Sequence, residues 1–323
     1  MSPMLRDIGF LALGVATVLL ALTVFGERLR ARRTTPDPAL EVFMTRIDSW
    51  WAMVILFTLA LLVGPWAVAL LFAIASFAAL REFYTYSAHS RADHLSLALA
   101  FYIILPAQFL FVVFDLPRLF AVFIPVYIFL LLPFVSVLRG STDKFLNRVS
   151  ETQWGLMICV FCLSHIPALM WLDLPRLGAD GQMIAQPSGR SMLLIAFLVL
   201  VVQTGDLVDF YMGRRVGRKR IVPDLSPKTW EGAAWGVAAA ASLGLLLSWI
   251  TPFGPLAAAG MAALGSVFGQ AGHLILRAIK RDRGLRDWSH LIPGQGGFLD
   301  QLDSVIFAAP AFFHLTRLWW MAT

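Results

Sequence analysis

The chain has 323 residues, of which 59% are hydrophobic and 14% are charged. A mean hydropathy of +0.74 excludes an ordinary soluble protein and a disordered one, and it indicates an integral membrane protein that crosses the bilayer several times. The net charge of +6 does not indicate nucleic-acid binding, because the basic residues lie in loops beside hydrophobic segments, where they suit anionic membrane lipids.

Charged residues and Pro/Gly clusters divide the chain into ten hydrophobic segments, which predict an all-α, polytopic membrane protein. Several segments are shorter than the ~20 residues that a helix needs to cross a bilayer, so we expect about eight to ten transmembrane helices. Residues 50–80 are compatible with one long broken helix. The segments are residues 8–25, 50–63, 65–80, 96–114, 117–138, 154–172, 191–205, 231–250, 254–276 and 304–322.

The first segment is interpreted as a membrane anchor, because it is long, lacks a signal-peptide cleavage pattern and is followed by several arginines. Of the 26 Lys and Arg residues, 21 lie in alternate loops, and this asymmetry predicts that those loops are cytoplasmic. Two of them, 206–230 and 277–303, are rich in polar residues. We therefore expect an N-terminal transmembrane region, 1–190, and a C-terminal transmembrane region, 191–323, which carries the two polar loops and any catalytic site. A bacterial inner membrane is the expected location.

Cys159 and Cys162 are the only cysteines, and their CxxC spacing lies inside a hydrophobic run. A redox or zinc site needs polar surroundings and further ligands, which this run lacks. The pair is therefore predicted to pack in the core.

The first polar loop begins with Asp206 and Asp209, which share one face if the preceding helix continues. Two carboxylates at a membrane edge suit a hard divalent cation such as Mg²⁺, although they can equally cap the helix or pair with Arg214 and Arg215. Further on, Ser226 or Thr229 can cap the helix that follows. With Lys228 beside it, this helix start can bind a phosphate, or it can be an ordinary helix N-terminus.

The second polar loop is preceded by His273, Arg277, Lys280 and Arg281, whose spacing places them along one stripe of a helix that leaves the membrane. Arg283 and Arg286 add positive charge that suits either a substrate or lipid head groups. A glycine-rich turn follows, and glycines allow the backbone to approach a ligand closely. Behind it, Asp300 and Asp303 are again three residues apart, which predicts a site for a metal and a polyphosphate.

These two loops resemble the phosphatidate cytidylyltransferases, also called CDP-diglyceride synthetases. The C-terminal signature of that family is approximately S-x-x-K-R-x(4)-K-D, a gap, and P-G-H-G-G-x-x-D-R-x-D. The earlier run from Ser226 to Gly232, and Asp206 followed by Gly213 and Arg214, also look like the family. The positions of the signature are occupied here by Arg277, Lys280, Arg281, Arg286, Asp287, Pro293, Gly294, Gln295, Gly296, Gly297, Asp300, Gln301 and Asp303, and Arg286 keeps the positive charge of the family's lysine.

The resemblance implies an enzyme that joins CTP to phosphatidic acid and gives CDP-diacylglycerol and pyrophosphate, with Mg²⁺ as cofactor. It implies catalytic roles for Lys228, Lys280, Arg281, Asp300 and Asp303. Whether the chain forms a homodimer is left open. The implied metal ligands are Asp300, Asp303, His273 and Asp206. The implied phosphate-binding residues are Ser226, Lys228, Arg277, Arg286, Gly294, Gln295, Gly296 and Gly297.

Four positions depart from the family pattern. His273 stands where the family has an acid, Gln295 where it has histidine, Gln301 where it has arginine, and Arg277 where it has serine. Imidazole suits Mg²⁺ less well than a carboxylate does. Three alternatives therefore remain: a cytidylyltransferase for another lipid phosphate, a diverged paralogue that binds nucleotide or anionic lipid without turnover, and a transporter.

Overall fold

The computed structural model describes residues 3–32, 38–87, 93–138, 142–172, 176–177, 183–184 and 190–322. Three helices open the chain: α1 (Pro3–Arg32), α2 (Pro38–Val63) and α3 (Pro65–Thr85). A single residue, Gly64, separates α2 from α3. Its φ of 124° is accessible to glycine but strained for other residues, and Pro65 then starts the next helix without needing an N–H partner. Residues 50–80 therefore form parts of two helices rather than one.

The next three predicted spans each combine α-helix with a π-helical segment. The first of these spans consists of α4 (His94–Leu99), a π segment (Ala100–Ile104) and α5 (Leu105–Val113). The second consists of α6 (Pro117–Val122), a π segment (Phe123–Ile128) and α7 (Phe129–Leu138). The third consists of α8 (Phe145–Leu156), a π segment (Met157–Cys162) and α9 (Leu163–Ala168), and it ends in a 3₁₀ turn (Leu169–Trp171). A proline lies inside or soon after each π segment, at Pro106, Pro125 and Pro167. Proline lacks an N–H, so the local hydrogen-bond pattern must change near it.

Two two-residue strands, β1 (Arg176–Leu177) and β2 (Met183–Ile184), pair in antiparallel fashion between α9 and a 3₁₀ turn (Arg190–Met192). The last four helices are α10 (Leu193–Val216), α11 (Trp230–Leu246), α12 (Pro255–Asp282) and α13 (Phe298–Ala322), with a 3₁₀ turn (Leu247–Ile250) after α11. The first half of α10 is buried and packs in the core of the bundle.

Helices α10 and α12 extend further than their hydrophobic segments predicted. Backbone hydrogen bonds continue beyond the apolar residues, and basic residues at both C-terminal ends interact favourably with the helix dipole. The predicted loops 206–230 and 277–303 are therefore shorter, at 217–229 and 283–297. Asp206 and Asp209 lie on α10, while Arg277, Lys280 and Arg281 lie on α12.

Glycines allow α10 and α11 to pack closely. A Cβ atom at Gly236 would lie 2.5 Å from the Gly205 carbonyl oxygen, and one at Gly232 would lie 2.7 Å from a carboxylate oxygen of Asp209. Small residues four apart are typical of close helix pairs in membranes. The consequence for the site is that Asp209, on the contact face of α10, is only 1% exposed.

Within the described residues, nine helices are long and apolar enough to cross a membrane, in agreement with the prediction of eight to ten. Each of them matches one of the first nine predicted segments. The tenth segment, 304–322, corresponds to α13, which is not among the nine. Cys159 and Cys162 are free thiols in the apolar interior, the first fully buried and the second partly buried, as predicted.

Candidate functional site

A polar cavity of about 490 Å³ lies where the two predicted polar loops meet. The first loop contributes Leu225, and the rest of the lining comes from the end of α12, the 283–297 loop and the start of α13. Basic and acidic groups both face the cavity, so it suits a ligand of mixed charge or an anion together with a cation. The charged residues of the lining are His273, Arg277, Lys280, Arg281, Arg286, Asp287, Asp300 and Asp303.

Two carboxylates of α10 hold Lys228, which lies three residues after the cavity-lining Leu225 and is not itself part of the lining. Its Nζ lies 3.0 Å from Asp206 Oδ1 and 2.6 Å from Asp209 Oδ2. Burial lowers the pKa of Lys228, but the negative charges of Asp206 and Asp209 outweigh this effect, and the pKa is raised above its usual value. Lys228 is therefore a fixed positive charge.

The turn before α11 orients Lys228. Ser226 is buried, and its hydroxyl oxygen accepts a hydrogen bond from the Lys228 backbone N–H at 3.2 Å. Thr229 is the N-cap of α11, and its side chain accepts from the N–H of Gly232 at 3.1 Å. Of the two capping residues that the sequence allowed, the structure therefore uses Thr229, and Ser226 stabilises the turn.

His273 on α12 pairs with Asp303 on α13, with 2.7 Å between Nδ1 and Oδ2. Burial raises the pKa of Asp303, but the charge and hydrogen bond of His273, a hydrogen bond from Ser304 and the charge of Lys228 together lower it below its usual value. Lys228 therefore acts electrostatically on Asp303 while it contacts Asp206, and Leu225 of the same loop lines the cavity with Asp303, so the two predicted polar segments lie close together.

The carboxylate of Asp300 has partners on both oxygens. Oδ1 lies 2.6 Å from Lys280 Nζ, and Oδ2 accepts from the backbone N–H groups of Trp288 at 2.8 Å and Gly297 at 2.9 Å. An acid at the third position of a helix that bonds back to the N-cap N–H is half of a capping box. Asp300 therefore fixes the 283–297 loop onto α13 and also holds Lys280.

The glycine-rich turn lies outside the lining of the polar cavity. It docks on α2, where Arg46 donates to the Gly294 carbonyl at 2.8 Å, Ser49 donates to the Pro293 carbonyl at 2.9 Å, and Gln295 donates to the Arg46 carbonyl at 3.2 Å. The backbone N–H groups of residues 295, 296 and 297 bond within the segment, to Ile292 and Asp300. A phosphate-binding role for residues 294–297 stays a prediction, and the backbone N–H groups of residues 295–297 would have to leave their present acceptors to serve it.

The sequence did not point to three features of the site. Glu82 on α3 reaches the start of α13, Asp209 contacts Lys228 instead of Arg214 or Arg215, and α2 supports the glycine-rich turn. Only the burial of Asp209 could have been expected from the sequence. Gly232 and Gly236 have the four-residue spacing that indicates a close contact between α11 and a neighbouring helix.

The donor set fits Mg²⁺ with few protein ligands. Within the described part of the chain, no three His, Cys, Asp or Glu side chains converge as a metal site. Mg²⁺ often binds one or two carboxylates and completes its coordination with water and substrate phosphates. Asp206, Asp300 and Asp303 supply hard oxygen ligands of this kind, and each would have to share or leave its present partner, Lys228, Lys280 or His273, to bind the ion.

A second cavity, of about 420 Å³, lies on the other side of the α12 end. Its lining is mainly apolar and comes from α3, α8, α12 and Trp288, and an ion pair between Arg283 and Glu151 joins two of these elements. Helix α12 therefore separates a charged cavity from an apolar groove at the same end of the bundle.

Comparison with known proteins agrees with the resemblance of the two loops. The sequence profile of the cytidylyltransferase family matches residues 44–319. The chain is 36% identical over 308 residues to the uncharacterized protein YnbB of Escherichia coli strain K12, and the match covers 95% of this chain and 97% of that protein.

The chain is also similar to proteins named phosphatidate cytidylyltransferase. It is 35% identical over 135 residues to the one from Synechocystis, which covers 41% of this chain and 45% of that protein. It is 32% identical over 127 residues to the one from Bacillus subtilis, which covers 38% of this chain and 47% of that protein. In both matches the chain spans less than half of the relative's length. Because the family profile covers most of the chain, this protein belongs to the cytidylyltransferase family.

Proposed function

We propose that this protein is a metal-dependent cytidylyltransferase that transfers CMP from CTP to phosphatidic acid or a related lipid phosphate. The observation that carries the proposal is the polar cavity at the end of α12, which combines a cluster of cationic side chains with carboxylates and opens at one end of a membrane helix bundle. A lipid phosphate and a nucleotide triphosphate are both anions, and such a cavity suits their close approach.

In the proposed reaction, an oxygen of the lipid phosphate attacks the α-phosphorus of CTP. A new bond forms between this oxygen and the α-phosphorus. The bond between the α-phosphorus and the oxygen that bridges to the β-phosphorus breaks, and pyrophosphate leaves with the electron pair of that bond. The protein mainly has to align two anions and offset their charge. We assign this task to Lys228, Lys280, Arg277, Arg281 and Arg286.

The carboxylates have two tasks in this proposal. Asp206 and Asp303, together with His273, would hold Mg²⁺, which would supply charge neutralisation and substrate orientation. Asp300 keeps Lys280 in place and fixes the loop that carries Arg286. The relatives named phosphatidate cytidylyltransferase support phosphatidic acid as the acceptor.

The test is an assay of purified protein with labelled CTP, Mg²⁺ or Mn²⁺, and several lipid phosphates, in which a CDP-lipid is expected. Asp303→Asn should reduce its formation at least 100-fold. Asp224→Asn is the matched control, because Asp224 is an exposed carboxylate in the 217–229 loop. Absence of product with every lipid and metal, beside an active reference enzyme, would refute the proposal.

A second candidate is a paralogue that binds nucleotide or anionic lipid without turnover. It is favoured by the ion pairs that engage Asp206, Asp300 and Asp303, and by the presence of His273 where the family pattern has an acid. Measurable CTP binding without product, unchanged by His273→Asp, Gln295→His and Gln301→Arg together, would support this candidate over the first.

A further inference from the structure

Glu82 is a buried carboxylate outside the polar cavity, at the C-terminal end of α3. Only 4% of its surface is exposed. It accepts hydrogen bonds from the Ser289 hydroxyl at 2.6 Å, the Phe298 N–H at 3.0 Å and the Leu299 N–H at 2.9 Å. All three donors belong to the segment that carries Asp300 and Asp303, more than 200 residues further along the chain.

The N-terminus of α13 lacks a side-chain cap of its own. The residue before Phe298 is Gly297, which has no side-chain oxygen, so the first N–H groups of the helix need acceptors from elsewhere. Glu82 supplies them, and its negative charge also interacts favourably with the positive end of the helix dipole. A carboxylate of α3 therefore does what an N-cap residue does in an ordinary helix.

Gly297 is required for this contact. A Cβ atom at this position would overlap the Glu82 carboxylate. On the other side of the same turn, Asp300 accepts from the Gly297 N–H, so Glu82 and Asp300 together satisfy the N–H groups of residues 297, 298 and 299. The direction in which the first turn of α13 points is thereby set from two sides.

We infer that Glu82 is a positioning residue for the active site: it fixes the first turn of α13 so that Asp300 holds Lys280 and Asp303 faces the polar cavity. The inference rests on the proposed function, and it adds a residue from the N-terminal half to the machinery of the C-terminal half. Glu82 touches no substrate in this account and acts through Asp300 and Asp303.

Two readouts separate positioning from a general effect on folding. Loss of folded protein lowers the apparent kcat but leaves the half-saturating Mg²⁺ concentration and the KM for CTP unchanged. A displaced Asp303 changes both constants. We expect the half-saturating Mg²⁺ concentration to rise at least threefold in Glu82→Gln, which keeps one acceptor oxygen, and at least tenfold in Glu82→Ala. Glu41→Gln, a change at an exposed carboxylate on α2, is the control.

Hydrogen–deuterium exchange tests the same contact without turnover. The amides of residues 298 and 299, which donate to Glu82, should exchange at least tenfold faster in Glu82→Ala than in the unaltered protein or in Glu41→Gln. Gly297→Ala should give the same faster exchange. The double variant should exchange no faster than Gly297→Ala alone, because both changes remove the same contact, the one between the Glu82 carboxylate and the first turn of α13. Unchanged exchange at these amides would overturn the inference, as would unchanged Mg²⁺ and CTP constants in an active Glu82→Ala protein. If the unaltered protein forms no CDP-lipid, the proposed function fails, and the exchange rates alone decide the positioning of α13.

Discussion

Replacing Asp300 by asparagine should destabilise the protein more than the same change at Asp303. In Asp300→Asn, the single amide oxygen can keep the two backbone N–H groups of Trp288 and Gly297, but the amide NH₂ then faces the Lys280 ammonium. The Lys280 side chain is 13% exposed and that of Asp300 is 7% exposed, so the remaining charge is poorly solvated. Removing one partner of a buried ion pair costs about 3–5 kcal/mol, and we expect about 3 kcal/mol here because two hydrogen bonds survive.

Asp303→Asn differs because the partner of Asp303 is a histidine that is more exposed than Lys280. The side chain of His273 is 27% exposed, and the Asn oxygen still accepts from Ser304. The expected loss is about 1 kcal/mol, the value of one hydrogen bond. The two variants therefore differ by about 2 kcal/mol. Since the unfolding midpoint of a chain of this size shifts by ~2 °C per kcal/mol, the midpoint of Asp300→Asn should lie ~4 °C below that of Asp303→Asn.

The assay is thermal unfolding of both variants in the same detergent, with CDP-lipid formation measured in parallel. Both variants should lose most turnover, since Asp300 holds Lys280 and Asp303 holds Mg²⁺ in the proposed mechanism. Equal unfolding midpoints would refute the reasoning, because they would mean that Asp300 does not balance a buried charge. An Asp300→Asn protein with full turnover would show that Lys280 needs no fixed partner.

Three further changes test the packing and charge around Lys228. Gly236→Ala should lower the free energy of unfolding by about 1–3 kcal/mol, because the new Cβ meets the Gly205 carbonyl. Gly260→Ala is the control: Gly260 has open space around it, so this change should be neutral or stabilising in the same unfolding assay. Thr229→Ala should lower the free energy of unfolding by about 1 kcal/mol, because α11 loses the side chain that caps its N-terminus. Ser242→Ala, which removes an exposed hydroxyl from the same helix, is the control and should have a smaller effect. The raised pKa of Lys228 means that the stabilisation from its positive charge is fully present from about pH 6 up to the unfolded-state pKa of ~10.4 and is lost as pH rises through the higher folded-state value. The stability difference between Lys228→Met and the unaltered protein should therefore stay constant from about pH 6 to 9, and a difference that shrinks within this range would contradict the charge assignment.

Local patterns predicted much of this architecture. Nine of the ten hydrophobic segments correspond to helices that are long and apolar enough to cross a membrane. The spacing of His273, Arg277, Lys280 and Arg281 placed all four on one stripe of a helix, and all four line a single cavity. Both signals depend on neighbouring residues, whose relative positions on a helix are fixed by its 3.6-residue period. The ends of α10 and α12 were placed too early, because helices continue into polar sequence when their carbonyl groups find partners there.

The remaining features depend on contacts between distant residues. Nothing near Glu82 in the sequence distinguishes it from other acidic residues at membrane edges, and its partners lie 207, 216 and 217 positions away. The glycine-rich turn was predicted to approach a phosphate because glycine permits close approach, and the close approach in the structure is to α2 and α3. The rule that glycine permits a close approach to the backbone was correct for this turn. It could not say which group makes the approach, because that depends on contacts with distant helices.

The dependence of α13 on α3 limits how this chain can be divided. A fragment that starts at α10 would contain the charged cavity but would leave the first turn of α13 without its acceptor, and the glycine-rich turn without α2. Such a fragment would have to recover both contacts from a separately supplied N-terminal half. Evolutionary exchange of N-terminal halves between relatives is restricted in the same way, since any replacement must present an acid at the C-terminal end of its third helix.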